Sequence, residues 1–107
     1  MMLYGWIGDN GDPDNFLSLL ETKEIKSSLN AGKYSNAKVD ALLVKGRTAK
    51  TTEERNAAYS ELQKIVQADA PWVFLSHSKD MAAVGTNVTG FDLHPTGVIF
   101  FRDVAIK

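Results

Sequence analysis

Residues 5–16 are the most informative stretch of the chain and read Gly5-Trp6-Ile7-Gly8-Asp9-Asn10-Gly11-Asp12-Pro13-Asp14-Asn15-Phe16. The segment from Leu3 to Ile7 is apolar and aromatic and is followed by a glycine, which predicts a β-strand. Residues 8–14 are rich in Gly, Asp, Asn and Pro, all of which favour turns. Asp12 or Asp14 is then expected to cap a short helix that follows, with Pro13 in its first turn.

Two longer helices are predicted further along. The first begins near Asn36 and ends near Gly46, with an apolar face made of Val39, Leu42 and Leu43. Thr51 and Glu54 have the spacing of a capping box, so Thr51 is the expected N-cap of the second helix. The apolar face of that helix is made of Ala58, Leu62, Ile65 and Val66, and Ala70-Pro71 ends it. The two helices are expected to form a hairpin.

The last third of the sequence is typical of strands. Residues 72–75 have the pattern of a buried strand, and residues 81–84 that of a short strand or a connector. Residues 86–90 resemble a turn, and residues 98–101 and 104–106 are expected to form a strand pair or a single broken strand. Helices between strands indicate an α/β or α+β class.

Composition excludes several classes of protein. The 107 residues are 44% hydrophobic and 23% charged, with a net charge of −1, which is typical of a globular unit. The chain has no cysteine, which excludes disulfides and thiol catalysis, and it has no apolar run of membrane-spanning length. Charge is uneven, because residues 1–21 carry four carboxylates and no Lys or Arg, whereas residues 22–55 carry eight basic and four acidic side chains.

The strand that precedes the acidic loop is suited to binding an extended peptide. Glycines leave backbone N–H and C=O groups accessible, Trp6 offers an apolar wall, and Asp9 offers a counter-charge for an ammonium group. The alternative is an acidic turn whose aspartates only cap a helix. Spacing alone leaves both interpretations open.

These residues resemble the dipeptide/oligopeptide-binding family of periplasmic solute-binding proteins, which serve ABC importers, and especially its dipeptide-binding branch. The similarity continues through Tyr34-Ser35-Asn36, Val39-Asp40-Ala41-Leu42, Glu53-Glu54-Arg55, Tyr59, Leu62-Gln63 and Ala70-Pro71-Trp72. Members of the family are several times longer than this chain. The resemblance therefore implies the C-terminal fragment of an α/β, two-lobed periplasmic-binding-protein type II fold, and a strand at the first residues fits a fragment. Residues 1–78 would belong to the second, ligand-contacting lobe, and residues 79–107 would return to the first.

The resemblance also implies roles for individual residues. Asp9 would bind the α-ammonium of a short peptide, Gly5 and Ile7 would offer backbone groups to it, and Trp6 would line a side-chain pocket. The protein would be periplasmic or extracytoplasmic and would deliver its ligand to a membrane permease. From the residues themselves no enzyme activity, cofactor or metal is expected. Without the opposite lobe the fragment is expected to bind peptides weakly, and unpaired strand edges would favour pairing with a second copy.

A calcium site is the alternative from another class. Asn10, Asp12, Asp14 and Glu21 fall on positions 1, 3, 5 and 12 of an EF-hand loop. However, Asn15 stands where the loop needs glycine, and a strand rather than a helix is predicted before it. The acidic loop therefore fits the calcium pattern only in part.

Catalytic and nucleic-acid functions are disfavoured. His77 adjoins Ser76 and Ser78, but neighbours in a strand point to opposite faces, which is the wrong geometry for nucleophilic catalysis. The basic residues of the helical region are Lys38, Lys45, Arg47, Lys50 and Arg55. Acidic residues interleave with them and no aromatic platform accompanies them, so no nucleic-acid partner is expected.

Overall fold

A computed structural model describes residues 2–107 of the chain. Within this range the elements are, in order, α1 (Pro13–Leu17), α2 (Ala37–Thr48), α3 (Thr52–Asp69), β1 (Val88–Thr89) and β2 (Ala105–Ile106). Two 3-10 turns, Ser18–Leu20 and Thr22–Ile25, continue the chain after α1. Helices joined to one small sheet are compatible with the predicted α/β class.

Helix α1 starts at the acidic loop, as the sequence predicts. Oδ1 of Asp12 accepts a hydrogen bond from the N–H of Asp14 at 2.8 Å, and Pro13 is the first helical residue. Proline suits this position because its missing N–H would have no partner in the helix. The expected cap at Asp12 or Asp14 is therefore confirmed for Asp12.

Helices α2 and α3 form the predicted hairpin. The side chain of Asn36 accepts from the N–H groups of Lys38 and Val39 at 2.9 and 3.4 Å, which confirms the predicted start of α2. Oγ1 of Thr51 accepts from the N–H of Glu54 at 3.2 Å, which confirms the N-cap of α3. Helix α3 then ends at Asp69, and Ala70 takes a left-handed conformation with φ of 47°.

The core lies between α1, α2 and α3 and consists of Leu17, Leu20, Val39, Leu42, Leu43, Ala58, Tyr59, Leu62 and Val66. The predicted apolar faces of both long helices are therefore confirmed, with Ile65 packed at the edge of the core. A β-carbon added to Gly46 would lie only 2.2 Å from Cε1 of Tyr59. The close approach of α2 and α3 thus requires a glycine at this position.

The irregular connection over residues 22–35 is held by one buried side chain. Asn30 is 1% exposed, and its Nδ2 donates to the carbonyl oxygens of Glu21 and Tyr34 at 3.2 and 2.7 Å. Its Oδ1 accepts from the N–H of Tyr34 at 3.1 Å. Because the three hydrogen bonds of this amide all go to backbone groups, it takes the place of secondary structure in fixing the connection.

The strand predictions are largely wrong. Residues 3–7, 72–75 and 81–84 form no strand, and Val73, Phe74 and Leu75 are 84%, 62% and 72% exposed. A strand needs a hydrogen-bonded neighbour, and among residues 2–107 these segments have none. Trp72 packs at the edge of the core, but most of the other apolar side chains of these segments remain exposed.

The small sheet also differs from the predicted pairing. β1 pairs with β2 in antiparallel register, with Val88 opposite Ile106 and Thr89 opposite Ala105. The turn predicted over residues 86–90 is confirmed at 86 and 87, but Val88–Thr89 supplies β1. The strand predicted over residues 104–106 is confirmed by β2, whereas residues 98–101 contribute only the isolated bridge between Ile99 and Leu93. From residue 71 to residue 107 no residue is buried.

The chain is extended for its length. Its radius of gyration is 17.9 Å, whereas a compact chain of this size has a value of about 13 Å. In the part that the structure describes, no helix combines the length and the apolar character needed to cross a membrane.

Candidate functional site

The predicted binding segment, residues 3–9, is an irregular, exposed run of chain immediately before α1. Trp6 is 37% and Ile7 66% exposed, and Gly5 and Asp9 are also exposed. Among the described residues, no backbone hydrogen bond involves residues 3–9. The structure therefore leaves the backbone groups of Gly5 and Ile7 and the carboxylate of Asp9 accessible on the surface.

Helix α1 fixes this segment at two points. Nε1 of Trp6 donates a hydrogen bond to Oδ1 of Asn15 at 2.6 Å. Gly8 is buried under the ring of Phe16, where an added β-carbon would lie 2.6 Å from Cε2. Trp6 and Gly8 are thus held on α1 even though the segment has no regular secondary structure.

Asp12 connects the acidic loop to α3. Its two carboxylate oxygens accept from Nη2 of Arg55 at 2.6 and 2.7 Å. The hydrogen bond from Arg55, together with that from the N–H of Asp14, holds the pKa of Asp12 below its ordinary value of 3.8. The N-cap of α1 is therefore also one half of an ion pair, which keeps it ionised.

Arg47 connects the same region to α2. Its Nε donates to Oδ1 of Asp14 at 2.8 Å, and its Nη1 and Nη2 donate to the two carboxylate oxygens of Glu21 at 3.0 and 2.8 Å. Lys23 adds a contact to Glu21 at 3.0 Å. Burial of Glu21 disfavours its ionised form, but the hydrogen bonds from Arg47 and Lys23 outweigh burial and hold its pKa below the ordinary 4.5.

These ion pairs bear on the calcium alternative. Asp12, Asp14 and Glu21, three of the four oxygen-bearing side chains at EF-hand positions, each contact a guanidinium group. A cation would have to displace those guanidinium groups. Within residues 2–107, no group of three or more His, Cys, Asp or Glu side chains is arranged to hold a metal ion. These carboxylates are thus paired with arginine side chains, and the structure disfavours the calcium interpretation.

Three of the five basic residues of the helical region are also paired with carboxylates. Arg47 and Arg55 face carboxylates, and Nζ of Lys38 lies 2.9 Å from Oε1 of Glu61. Much of the positive charge that the sequence places here is therefore offset inside the chain.

An aromatic row runs beside the binding segment and is made of Trp6, Tyr4, Trp72 and Phe74. Consecutive ring centroids are 6.4, 6.1 and 6.3 Å apart, and the Tyr4 and Trp6 rings are stacked at 29°. The row brings the segment before α1 together with the segment after α3. These four rings therefore form an apolar surface next to the accessible backbone of residues 3–9.

Sequence reasoning missed the roles of Arg47 and Arg55, which hold α1 on the hairpin, and of Asn15, which holds Trp6 on α1. The sequence does contain a signal for the two arginines. The charged side chains of residues 1–21 are all acidic, whereas residues 22–55 have an excess of basic side chains. Attraction between the two segments follows from that imbalance. No pattern in the sequence indicates the pairing of Asn15 with Trp6.

No protein-family model matches the chain. Among curated proteins, it is 36% identical over 108 residues to the probable di/tripeptide-binding protein 5 of Pseudomonas aeruginosa, covering 100% of this chain and 20% of that protein. It is 36% identical over 107 residues to di/tripeptide-binding protein 2 of the same organism, covering 99% of this chain and 20% of that protein.

Another relative carries a different ligand in its name. The heme-binding protein A of Haemophilus influenzae is 40% identical over 105 residues, covering 97% of this chain and 19% of that protein. The chain thus spans about a fifth of the length of these curated relatives. Over its whole length, it is a homologue of the dipeptide- and tripeptide-binding proteins of solute-binding family 5.

Proposed function

We propose that the protein carrying this chain is the solute-binding component of an ABC importer that captures short peptides between two lobes. The observation that carries the proposal is the accessible backbone of residues 3–9, which ends in the exposed carboxylate of Asp9. The names of the relatives support a di- or tripeptide as the ligand. The site would work in the periplasm or another extracytoplasmic space.

Backbone pairing would supply much of the affinity. Gly5 and Ile7 lie in a segment whose N–H and C=O groups make no hydrogen bond among the described residues. An extended peptide can pair with such a segment as an added strand. A di- or tripeptide has few backbone groups of its own, so it would form few hydrogen bonds with this segment. Tight binding would therefore need a second contact.

Asp9 would provide that second contact. A carboxylate beside an extended segment can accept hydrogen bonds from the α-ammonium of the peptide. Shielded from water, a charge-assisted bond contributes about 1.5–3 kcal/mol, whereas an exposed ion pair contributes only about 0–1 kcal/mol. Closure of a second lobe over Asp9 would therefore be needed for tight binding.

The proposed lobes divide the chain near its exposed stretch. Residues 1–78 would belong to the ligand-contacting lobe, which includes the core formed by α1, α2 and α3. Residues 79–107 would return to the first lobe of a periplasmic-binding-protein type II fold. The lack of any buried residue between positions 71 and 107 supports a covering partner for this segment elsewhere in the longer protein.

Delivery to a membrane permease would complete the function. A binding protein of this kind needs no reacting group, so the protein is proposed to be non-enzymatic. Tyr4, Trp6 and Trp72 would form part of the wall that receives peptide side chains.

The test is calorimetric titration of di- and tripeptides into the protein expressed from its complete reading frame. The same peptides with an acetylated N-terminus remove the ammonium group, and Asp9→Ala removes its partner. Each change is expected to weaken binding by about ten- to a hundredfold. Asp92→Ala is the matched control, because Asp92 is exposed and makes no ion pair among the described residues.

Binding that ignores both acetylation and Asp9→Ala would move the ammonium site away from this loop. Hemin is titrated in parallel, because one relative is named for heme. Saturable hemin binding that peptides do not displace would contradict the peptide proposal. The 107-residue chain alone is expected to bind peptides weakly, and low-micromolar affinity of this chain would refute the need for the second lobe.

A further inference from the structure

The side chain of Asn15 serves the binding segment rather than the helix that carries it. Helix α1 uses only the backbone of Asn15, whose N–H donates to the carbonyl of Asp12 at 3.1 Å. The carbonyl of Asn15 accepts from Oγ of Ser18 at 3.2 Å. The Asn15 side-chain amide oxygen instead accepts the 2.6 Å hydrogen bond from Nε1 of Trp6.

The helix under Asn15 is fixed from both sides. Asp12 at its N-terminus is paired with Arg55 of α3, and Asp14 in its first turn is paired with Arg47 of α2. A five-residue helix has little stability of its own, so these two ion pairs and Leu17 hold it on the hairpin. Asn15 is therefore attached to a rigid support, although the segment it contacts is irregular.

Trp6 has few other restraints. It is 37% exposed and stacks on Tyr4, which is itself 40% exposed. A tryptophan side chain without a partner for its N–H can rotate about both of its side-chain torsions. The hydrogen bond to Asn15 selects one orientation of the indole and so determines which part of the ring faces the space next to residues 3–9.

We propose that Asn15 is a positioning residue that holds the Trp6 indole as a wall of the peptide side-chain pocket and thereby sets side-chain preference. The inference rests on the proposed function and deepens it, because it assigns two different tasks to two residues of the site. Asp9 binds the ammonium group that all peptides share, and Asn15 acts through Trp6 on the side chains in which they differ.

The test is a double-mutant cycle in the protein expressed from its complete reading frame. Asn15→Ala and Trp6→Phe are made singly and together, and calorimetry gives Kd for Gly-Gly and for a dipeptide with an aromatic side chain. Asn15→Ala is expected to weaken binding of the aromatic dipeptide by about three- to tenfold and to leave Gly-Gly unchanged. In the Trp6→Phe background, which lacks the donor, Asn15→Ala is expected to have no further effect.

Two further variants separate positioning from stability. Asn15→Asp keeps an acceptor oxygen, so it is expected to retain the wild-type ratio of the two Kd values, even where its charge strengthens ammonium binding in general. Asn56→Ala on α3 is the matched control, because Asn56 is exposed and its side chain makes no hydrogen bond among residues 2–107. Loss of fold would change both dipeptides alike and leave their ratio unchanged.

Fluorescence tests the geometry without a ligand. This test uses the 107-residue chain, which has two tryptophans, so Trp72→Phe leaves Trp6 as its only tryptophan emitter. In that background Asn15→Ala is expected to shift the Trp6 emission, and Asn15→Asp to preserve it. An unchanged emission after Asn15→Ala overturns the positioning role.

The failure of this inference can be told apart from failure of the proposed function. If Asp9→Ala abolishes binding but Asn15→Ala leaves the ratio of Kd values unchanged, only the role of Asn15 is overturned. If the wild-type protein binds no peptide, or Asp9→Ala has no effect, the proposed site is wrong and the role of Asn15 is overturned with it. An equal effect of Asn15→Ala with and without Trp6 also overturns it.

Discussion

The ring of Tyr59 lies so close to Gly46 that α2 and α3 can pack only with a glycine at that position. An added β-carbon would be 2.2 Å from Cε1 and 2.7 Å from Cζ of a side chain that is 3% exposed. Intrinsic helix propensity favours alanine over glycine by about 1 kcal/mol. At position 46 packing opposes this preference, because the β-carbon of an alanine would overlap the Tyr59 ring.

Gly46→Ala is therefore expected to destabilise the chain by about 1–3 kcal/mol, because a buried ring must move to admit a methyl group. Urea unfolding of the chain followed by far-ultraviolet circular dichroism measures the change. Ala41→Gly at an exposed position of the same helix calibrates propensity alone and should cost about 1 kcal/mol. A stabilising Gly46→Ala would show that Tyr59 is not packed as described.

The pairing of Arg47 with Glu21 is expected to be the strongest single ionic contact of the chain. Glu21 is 6% exposed and receives two hydrogen bonds from one guanidinium group. Glu21→Gln keeps the shape and removes the charge, and should cost about 2 kcal/mol in the same unfolding assay.

Lys23 provides the comparison, because it also contacts Glu21 but its side chain is 63% exposed. Exposed ion pairs contribute little, so Lys23→Ala should change stability by less than about 1 kcal/mol. Equal losses from Glu21→Gln and Lys23→Ala would contradict the ranking.

Acid should destabilise the chain through Asp12 and Glu21. Hydrogen bonds from Arg55 to Asp12 hold its pKa below the ordinary 3.8, and those from Arg47 and Lys23 overcome burial to hold the pKa of Glu21 below the ordinary 4.5. The unfolded chain therefore binds protons first as the pH falls. The stabilisation that these two carboxylates contribute is fully present above about pH 4.5, and it is lost as the pH falls through their folded-state pKa values.

The midpoint of urea unfolding, measured from pH 7 to pH 2.5, should show this loss. A variant with Asp12→Asn and Glu21→Gln is expected to be less stable at pH 7 but to depend less on pH in the acidic range. A slope that the double variant leaves unchanged would assign the acid sensitivity to other carboxylates.

Alkali should act through Tyr34. Burial, and then the hydrogen bond that its hydroxyl donates to Asp69, raise the pKa of Tyr34 to about 12 from 10.0. The folded state thus keeps a proton that the unfolded state releases, so stability is unaffected below pH 10 and declines as the pH rises toward 12. Absorbance at about 295 nm follows tyrosinate, and Tyr34→Phe is expected to remove the step that titrates late. A late step that survives Tyr34→Phe would assign it to another tyrosine.

The helical part of the fold follows from local chemistry and was predictable. Asn36 and Thr51 cap helices because their side chains satisfy nearby N–H groups, and the apolar faces of α2 and α3 repeat with helical period. These signals act within a few residues, and the sequence contains all of them. The hairpin itself follows from the short connection between two such faces.

Most of the strands were not predictable, because a strand is defined by its neighbour; of the predicted strands, residues 104–106 alone supply one, β2, among the described residues. Residues 72–75 have the composition of a buried strand yet form none, since nothing among residues 2–107 pairs with them. The candidate site was predictable only in part. Asp9 and Trp6 could be singled out from their spacing and from the family resemblance, whereas the contact between Trp6 and Asn15 depends on how α1 is anchored.

In the two-lobed protein that we propose, the left-handed residue at the end of α3 has a consequence for the architecture. Ala70 reverses the chain so that Trp72 packs against the core and lies 6.1 Å, centroid to centroid, from Tyr4. The polypeptide thus enters and leaves the helical unit at neighbouring points. A unit with adjacent ends can be inserted between two strands of a host sheet without separating them. Its helices can therefore vary in sequence and length while the host framework keeps its geometry.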